Sequence, residues 1–102
     1  MKRAVIYARV AQKNDTTGEL EKQVKELQAY CKGKDYDVFE TIAESRAGRY
    51  ISRDLLMVVA DFKNLDVIVA KDKVCICRNH PELLRFEELA EALDIEIDYM
   101  SE

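Results

Sequence analysis

Residues 4–10 read AVIYARV and are followed by Ala11. The run is apolar and largely β-branched or small on every residue except Arg9, the pattern of a strand buried on both faces in a parallel sheet. An arginine at the end of such a strand needs an explanation. The next residues, QKNDTTG, are polar and turn-like, and Thr16 with Glu19 has the spacing of a capping box that starts a helix.

Beyond this point Leu20, Val24, Leu27 and Cys31 recur at helical spacing, so one stripe faces a core while Glu19, Glu21, Lys22, Lys25 and Glu26 face water. Gly33 is placed to end the helix. Asp37–Ala43 reads as a second strand and leads into ESRAGRYIS, a loop rich in arginine and small residues that can approach a phosphate closely. Ser52 can cap a short buried helix carrying Leu55, Leu56, Val58, Val59 and Phe62. Asp66–Ala70 is a further buried strand. Pro81 suits the first position of a last helix bearing Leu83, Leu84, Phe86, Leu89, Ala90 and Leu93, and Ile95–Met100 alternates like an edge strand. The order β-α-β-α-β-α-β predicts an open α/β sheet with right-handed crossovers and a ligand edge at the carboxyl ends of its strands. Arg9, the 44–53 loop and the 71–79 segment all follow strands, so the basic residues are expected to gather there.

The 102 residues suit a single domain, and 48% hydrophobic and 35% charged residues with only three glycines and one proline mark an ordinary folded chain. A net charge of −4 argues against a surface that is one continuous phosphate-binding field, so any DNA contact must be local. Arg46, Arg49 and Arg53 do cluster. No apolar stretch approaches the ~20 residues of a membrane span, and MKRAVIYARV lacks the features of a signal peptide, so a cytoplasmic location is expected. Cys31, Cys75 and Cys77 form no disulfide framework.

The segment YARVA, Tyr7–Ala11, resembles the Y-x-R-V-S motif of the serine recombinases, the resolvase/invertase family, in which the arginine binds the scissile phosphate and the serine attacks it. Further resemblance lies in Glu21 and Gln23 within ELEKQ, in ELQAYCKGKDYDV, in Gly48 with Arg53 against S-G-x-x-x-x-R-P-x-L, and in DVIVAKD followed by Arg78-Asn79. The matches run in the family's order from Ala4 to about residue 100. The resemblance implies a three-layer α/β/α domain with a mostly parallel four- to five-stranded sheet over residues 1–102.

The departures fall at the family's chemistry. The serine position is Ala11, and the stretch similar to K-D-L-D-R-L-S-R-N carries Val74 and Cys75 in place of its inner Asp-Arg pair. An alanine methyl cannot attack phosphorus. The resemblance therefore implies a domain without strand cleavage, retaining Arg9, Arg53 and Arg78 as a phosphate clamp, with Arg46 and Arg49 as DNA contacts and no cofactor. The implied partners are DNA, weakly or indirectly, and a second copy or an active relative. The family's dimerisation helix and DNA-binding region are not expected after Glu102.

Plainer readings stand beside these. Arg9 and Arg78 can be ordinary arginines capping carboxylates, and the 46–53 loop a solvated connector. Cys75, Cys77 and His80 form a C-x-C-x-x-H cluster, but no fourth ligand is evident and no metal is expected; the cysteines read as small packing residues. A cysteine nucleophile near Lys73 and Arg78 would need a depressed pKa. Ser45 and Ser52 are hydroxyls in the arginine loop, although Ser52 is more simply a cap. Two other functions remain open: part of a working recombinase with an atypical active site, and a small α/β protein binding an anionic metabolite.

Overall fold

Alternation along the first strand sets the layers. In the computed structural model, which describes residues 1–11 and 18–102, β1 is Arg3–Val10. Successive side chains of a strand point to opposite faces. Ala4, Ile6 and Ala8 join Val67 and Val69 beneath Leu27 and Cys31, whereas Val5 and Tyr7 join Ile68, Leu55, Val59, Leu83 and Phe86 on the other face. Arg9 has the parity of Val5 and Tyr7.

The elements follow in the order β1, α1 (Glu19–Gly33), β2 (Asp37–Ser45), α2 (Arg53–Asp61), β3 (Val67–Ala70), α3 (Lys73–Ile76), α4 (His80–Ala92) and β4 (Glu96–Tyr99). The sheet is four-stranded and wholly parallel, ordered β2-β1-β3-β4. Helix α1 covers one face; α2 and α4 cover the other. This division is what right-handed crossovers require when the chain first steps from β1 to β2 and then turns back across the sheet towards β3 and β4. The three-layer expectation holds, with α3 added in the 71–79 segment. No helix among the described residues is long and apolar enough to cross a membrane.

Local sequence explains most boundaries. Ser52 Oγ accepts from the Leu55 N–H and opens α2, and Asn79 Oδ1 accepts from the Glu82 N–H and opens α4, with Pro81 in its first turn. Thr16 of the expected capping box lies outside the described residues, and α1 begins after Gly18 at φ 75°. Gly33 is the last helical residue of α1 rather than its left-handed terminus; that conformation falls on Asp35, and the same φ of 58° recurs at Asp94 after α4. Aspartate tolerates it through its short polar side chain.

The end of α1 is tied to the far edge of the sheet: the Tyr30 and Tyr36 hydroxyls donate to Oδ1 and Oδ2 of Asp98 at 2.7 and 2.6 Å. Burial in the middle of α1 rests on Leu27, which is fully enclosed. Leu27→Ala should therefore lower unfolding free energy by about 3 kcal/mol, whereas truncation of exposed Lys22 should change it by less than about 0.5 kcal/mol. Urea denaturation measures both, and a near-neutral Leu27→Ala would contradict this packing.

Candidate functional site

The strand order reverses direction between β1 and β3, and open α/β sheets place ligands outside the carboxyl ends at such a switch point. Strand β3 ends at Ala70, paired with Tyr7, so β1 runs on through Ala8, Arg9 and Val10 without that neighbour. Gln23 of α1 takes its place. Its Oε1 accepts from the Arg9 N–H at 3.0 Å and its Nε2 donates to the Arg9 carbonyl at 3.3 Å, one side-chain amide satisfying both backbone groups.

The Arg9 side chain turns inward. The residue is 5% exposed, and its guanidinium donates from Nε to the Cys75 carbonyl at 3.0 Å, from Nη1 to the Arg46 carbonyl at 2.9 Å and from Nη2 to the Val74 carbonyl at 2.6 Å. Val74 and Cys75 sit in the single turn of α3, whose start is capped by Asp72 Oδ1 accepting from the Cys75 N–H at 2.9 Å. Carbonyls at the end of a helical turn lack intrahelical partners, and a cation is their favourable neighbour. Gly48 lies flat against this group: a Cβ added there would stand 2.4 Å from Arg9 Cζ. Arg9 therefore joins α3 to the 46–48 loop, rather than facing solvent as an open phosphate ligand.

A second knot forms around Glu44 at the end of β2. Its Oε1 accepts from the Tyr7 hydroxyl at 2.7 Å and from Arg46 Nε at 3.0 Å, and its Oε2 accepts from Ser52 Oγ at 2.9 Å. Burial alone would raise the carboxyl pKa, but the bonds from Tyr7, Arg46 and Ser52 and the Arg46 charge outweigh it and hold the pKa below its ordinary value. Burial and the bond to Glu44 push the Tyr7 phenol well up. Arg46 also donates from Nη1 to the Ala47 carbonyl and from Nη2 to the Tyr50 carbonyl, both at 2.9 Å, so its guanidinium is committed to its own loop.

The remaining arginines differ. Arg49, Arg53 and Arg78 are exposed, and their side chains have no hydrogen bond or ion pair among the described residues. Arg49 and Arg78 line one open pocket of about 460 Å³ together with Tyr50 and Asn79. They are brought together by the Arg78 N–H donating to the Gly48 carbonyl at 2.7 Å and by Cys77 Sγ lying 3.6 Å from the Arg49 carbonyl. Arg53 opens α2 and does not line that pocket. Ala11 is exposed, directly after Val10, whose carbonyl accepts from the Arg46 N–H at 2.9 Å. Val74 is exposed, whereas Cys75 is buried with Sγ 3.8 Å from both the Arg9 carbonyl and Gln23 Oε1.

The reading of the cysteines as packing residues fits this burial, and burial, reinforced by the Asp72 charge, pushes the Cys75 thiol up to about 11, the opposite of an activated nucleophile. Cys75 and Cys77 contact different carbonyls, His80 is exposed, and no group of three or more metal-ligating side chains converges among the described residues. Sequence reading gave Glu44 no role and treated Tyr7 and Gln23 only as points of resemblance. A signal was present: Gln23 is a polar residue between Leu20 and Leu27 at core-facing spacing.

The parallel sheet, its covering helices and this switch point define an open three-layer α/β domain, and comparison with known proteins gives its family. The chain belongs to the resolvase N-terminal domain family, whose model matches residues 4–102. Among solved structures it is similar to the C-terminal catalytic domain of ISC1926 TnpA, an IS607-like serine recombinase, at 29% identity and a TM-score of 0.84, covering 96% of this chain and 70% of that one. It is also similar to the C-terminal catalytic domain of IS1535 TnpA, another IS607-like serine recombinase, at 25% identity and a TM-score of 0.78, covering 94% and 69%. The N-terminal catalytic domain of TP901-1 integrase shares the fold, at 16% identity and a TM-score of 0.80 over 97% and 77%. No curated protein matches significantly.

Two outcomes follow from the buried guanidinium and the Glu44 knot. Arg9→Ala should destabilise the domain by about 3 kcal/mol through orphaned carbonyls. Gly48→Ala should be destabilising in the parent but nearly neutral in the Arg9→Ala background, so denaturation of all four proteins gives a double-mutant cycle; strictly additive losses would remove the contact from the account. For Glu44, the folded pKa lies below the ordinary value of 4.5, so its contribution is complete above that value and fades as pH falls through the lower folded pKa. Between neutrality and about pH 3 the parent should lose more stability than Glu44→Gln, as read from urea midpoints.

Proposed function

We propose that this domain binds the phosphate backbone of DNA locally, through Arg49, Arg53 and Arg78, and does not cut it. The observation that carries the reading is the residue after β1: where the recombinase resemblance assigns the attacking serine, Ala11 offers only a methyl group. Two nearby groups among the described residues are unsuited to replace it. Ser52 Oγ is already donor to Glu44 and acceptor at the head of α2, and the Cys75 thiol is held protonated by burial.

The clamp in this reading is narrower than the resemblance implies. With Arg9 and Arg46 bonded to carbonyls and to Glu44, the arginines left for an external anion are the three exposed ones on the 49–53 and 78–79 edge. Guanidinium groups bind phosphate bidentately without needing to react with it. Pairing with a second copy or with an active relative gives such a domain a regulatory role in DNA recombination.

Binding to a duplex in increasing salt tests the clamp. Each neutralised phosphate contributes about −0.9 to the slope of log affinity against log salt, so Arg49→Ala, Arg53→Ala and Arg78→Ala combined should weaken binding and flatten the slope by roughly 2 to 3. Arg85→Ala, on the outer face of α4, should do neither. Incubation with supercoiled DNA followed by denaturing electrophoresis should give no covalent protein–DNA adduct; an adduct would overturn the non-cleaving reading.

A further inference from the structure

Among the described residues, the pocket formed by Arg49, Tyr50, Arg78 and Asn79 has no carboxylate in its lining, in a chain whose net charge is −4. Its aromatic residue is unusual in position. Tyr50 is 66% exposed and shares its pocket with two arginines, although its neighbours Ile51 and Ser52 turn inward. Core packing therefore does not explain the ring.

The platform beneath it is well held. Arg46 Nη2 donates to the Tyr50 carbonyl at 2.9 Å, the Arg78 N–H donates to the Gly48 carbonyl at 2.7 Å, and Asn79 Oδ1 caps α4 through the Glu82 N–H. The backbone is thus braced from both sides while the Tyr50 ring and two guanidiniums stay open to solvent, and ligand binding need not first order the loop.

We infer that this pocket takes one unpaired nucleotide of single-stranded DNA, with its base stacked on Tyr50 and its phosphates between Arg49 and Arg78. A flat aromatic face beside cationic groups is the chemistry that holds unpaired bases, because every base has a π face and every nucleotide a phosphate. A duplex keeps its base faces stacked inside and can meet only the arginines. The inference rests on the phosphate-binding reading above and adds a preference for the unpaired strand.

Fluorescence anisotropy of the full chain, with a labelled oligonucleotide of about twelve nucleotides and with the duplex of the same sequence at one salt concentration, tests it. The single strand should bind more tightly. Tyr50→Ala should weaken single-strand binding by about tenfold and leave duplex binding unchanged, while Tyr50→Phe keeps the preference. Thermal melting of each variant reports folding. Equal affinity for both forms, or indifference of the single strand to Tyr50→Ala, overturns the stacking inference while leaving the clamp intact. Unchanged binding of both forms by Arg49→Ala with Arg78→Ala overturns both.

Discussion

A permanently charged guanidinium is enclosed at the end of the central strand, and the loops around it are arranged to satisfy it. Arginine does not lose its proton in proteins, so burial cannot be relieved by neutralisation. Arg9 instead donates to three carbonyls, two from α3 and one from Arg46. Each partner is a backbone oxygen, which means that the path of the main chain answers the charge. The 46–48 loop must pass close enough to offer a carbonyl, and residue 48 must lack a Cβ for that approach to be possible.

The Val74–Cys75 segment is intelligible in the same terms. Val74 and Cys75 contact Arg9 through their carbonyls, and their side chains diverge: Val74 is 57% exposed, while Cys75 fills a buried spot against the Arg9 carbonyl and Gln23. A small, weakly polar thiol suits that spot. A long charged side chain at residue 75 would have to leave it, and would bring a second charge towards Arg9. The composition of α3 and the inward pose of Arg9 therefore support each other: with no competing cation at 75, the guanidinium can occupy the end of the turn.

The fold was largely legible in the chain because its signals are local. AVIYARV and DVIVA read as buried strands, the Leu20–Cys31 stripe as a core-facing helix, Ser52 as a cap and Pro81 as a helix start, and the structure has each of these. Gly33 read as the end of the first helix, and α1 ends there, while the left-handed residue falls two positions further on at Asp35, before β2. The site was less legible for a different reason. Arg9, Arg46, Arg49, Arg53 and Arg78 are one residue type in similar loop contexts, and sequence does not distinguish a guanidinium that points at carbonyls from one that points at water. Gln23 and Glu44 act through partners 14 and 37 residues away in sequence, at Arg9 and Tyr7, and those pairings exist only once α1 and β2 are docked on β1.

The exposed arginines stand to one side of the switch point. In an α/β sheet of this order the crevice between β1 and β3 is the natural ligand position. Here Gln23 completes β1 on that side and the Arg9–α3 contact covers the other. The exposed arginines Arg49 and Arg78 stand on the adjacent edge, where the 49–53 loop and the 78–79 junction run beside each other. Their proximity depends on the Arg78 N–H bond to Gly48, the residue that packs on Arg9. The exposed edge is therefore joined to the buried guanidinium through one residue: Gly48 offers its carbonyl to the Arg78 N–H and its Cβ-free face to Arg9.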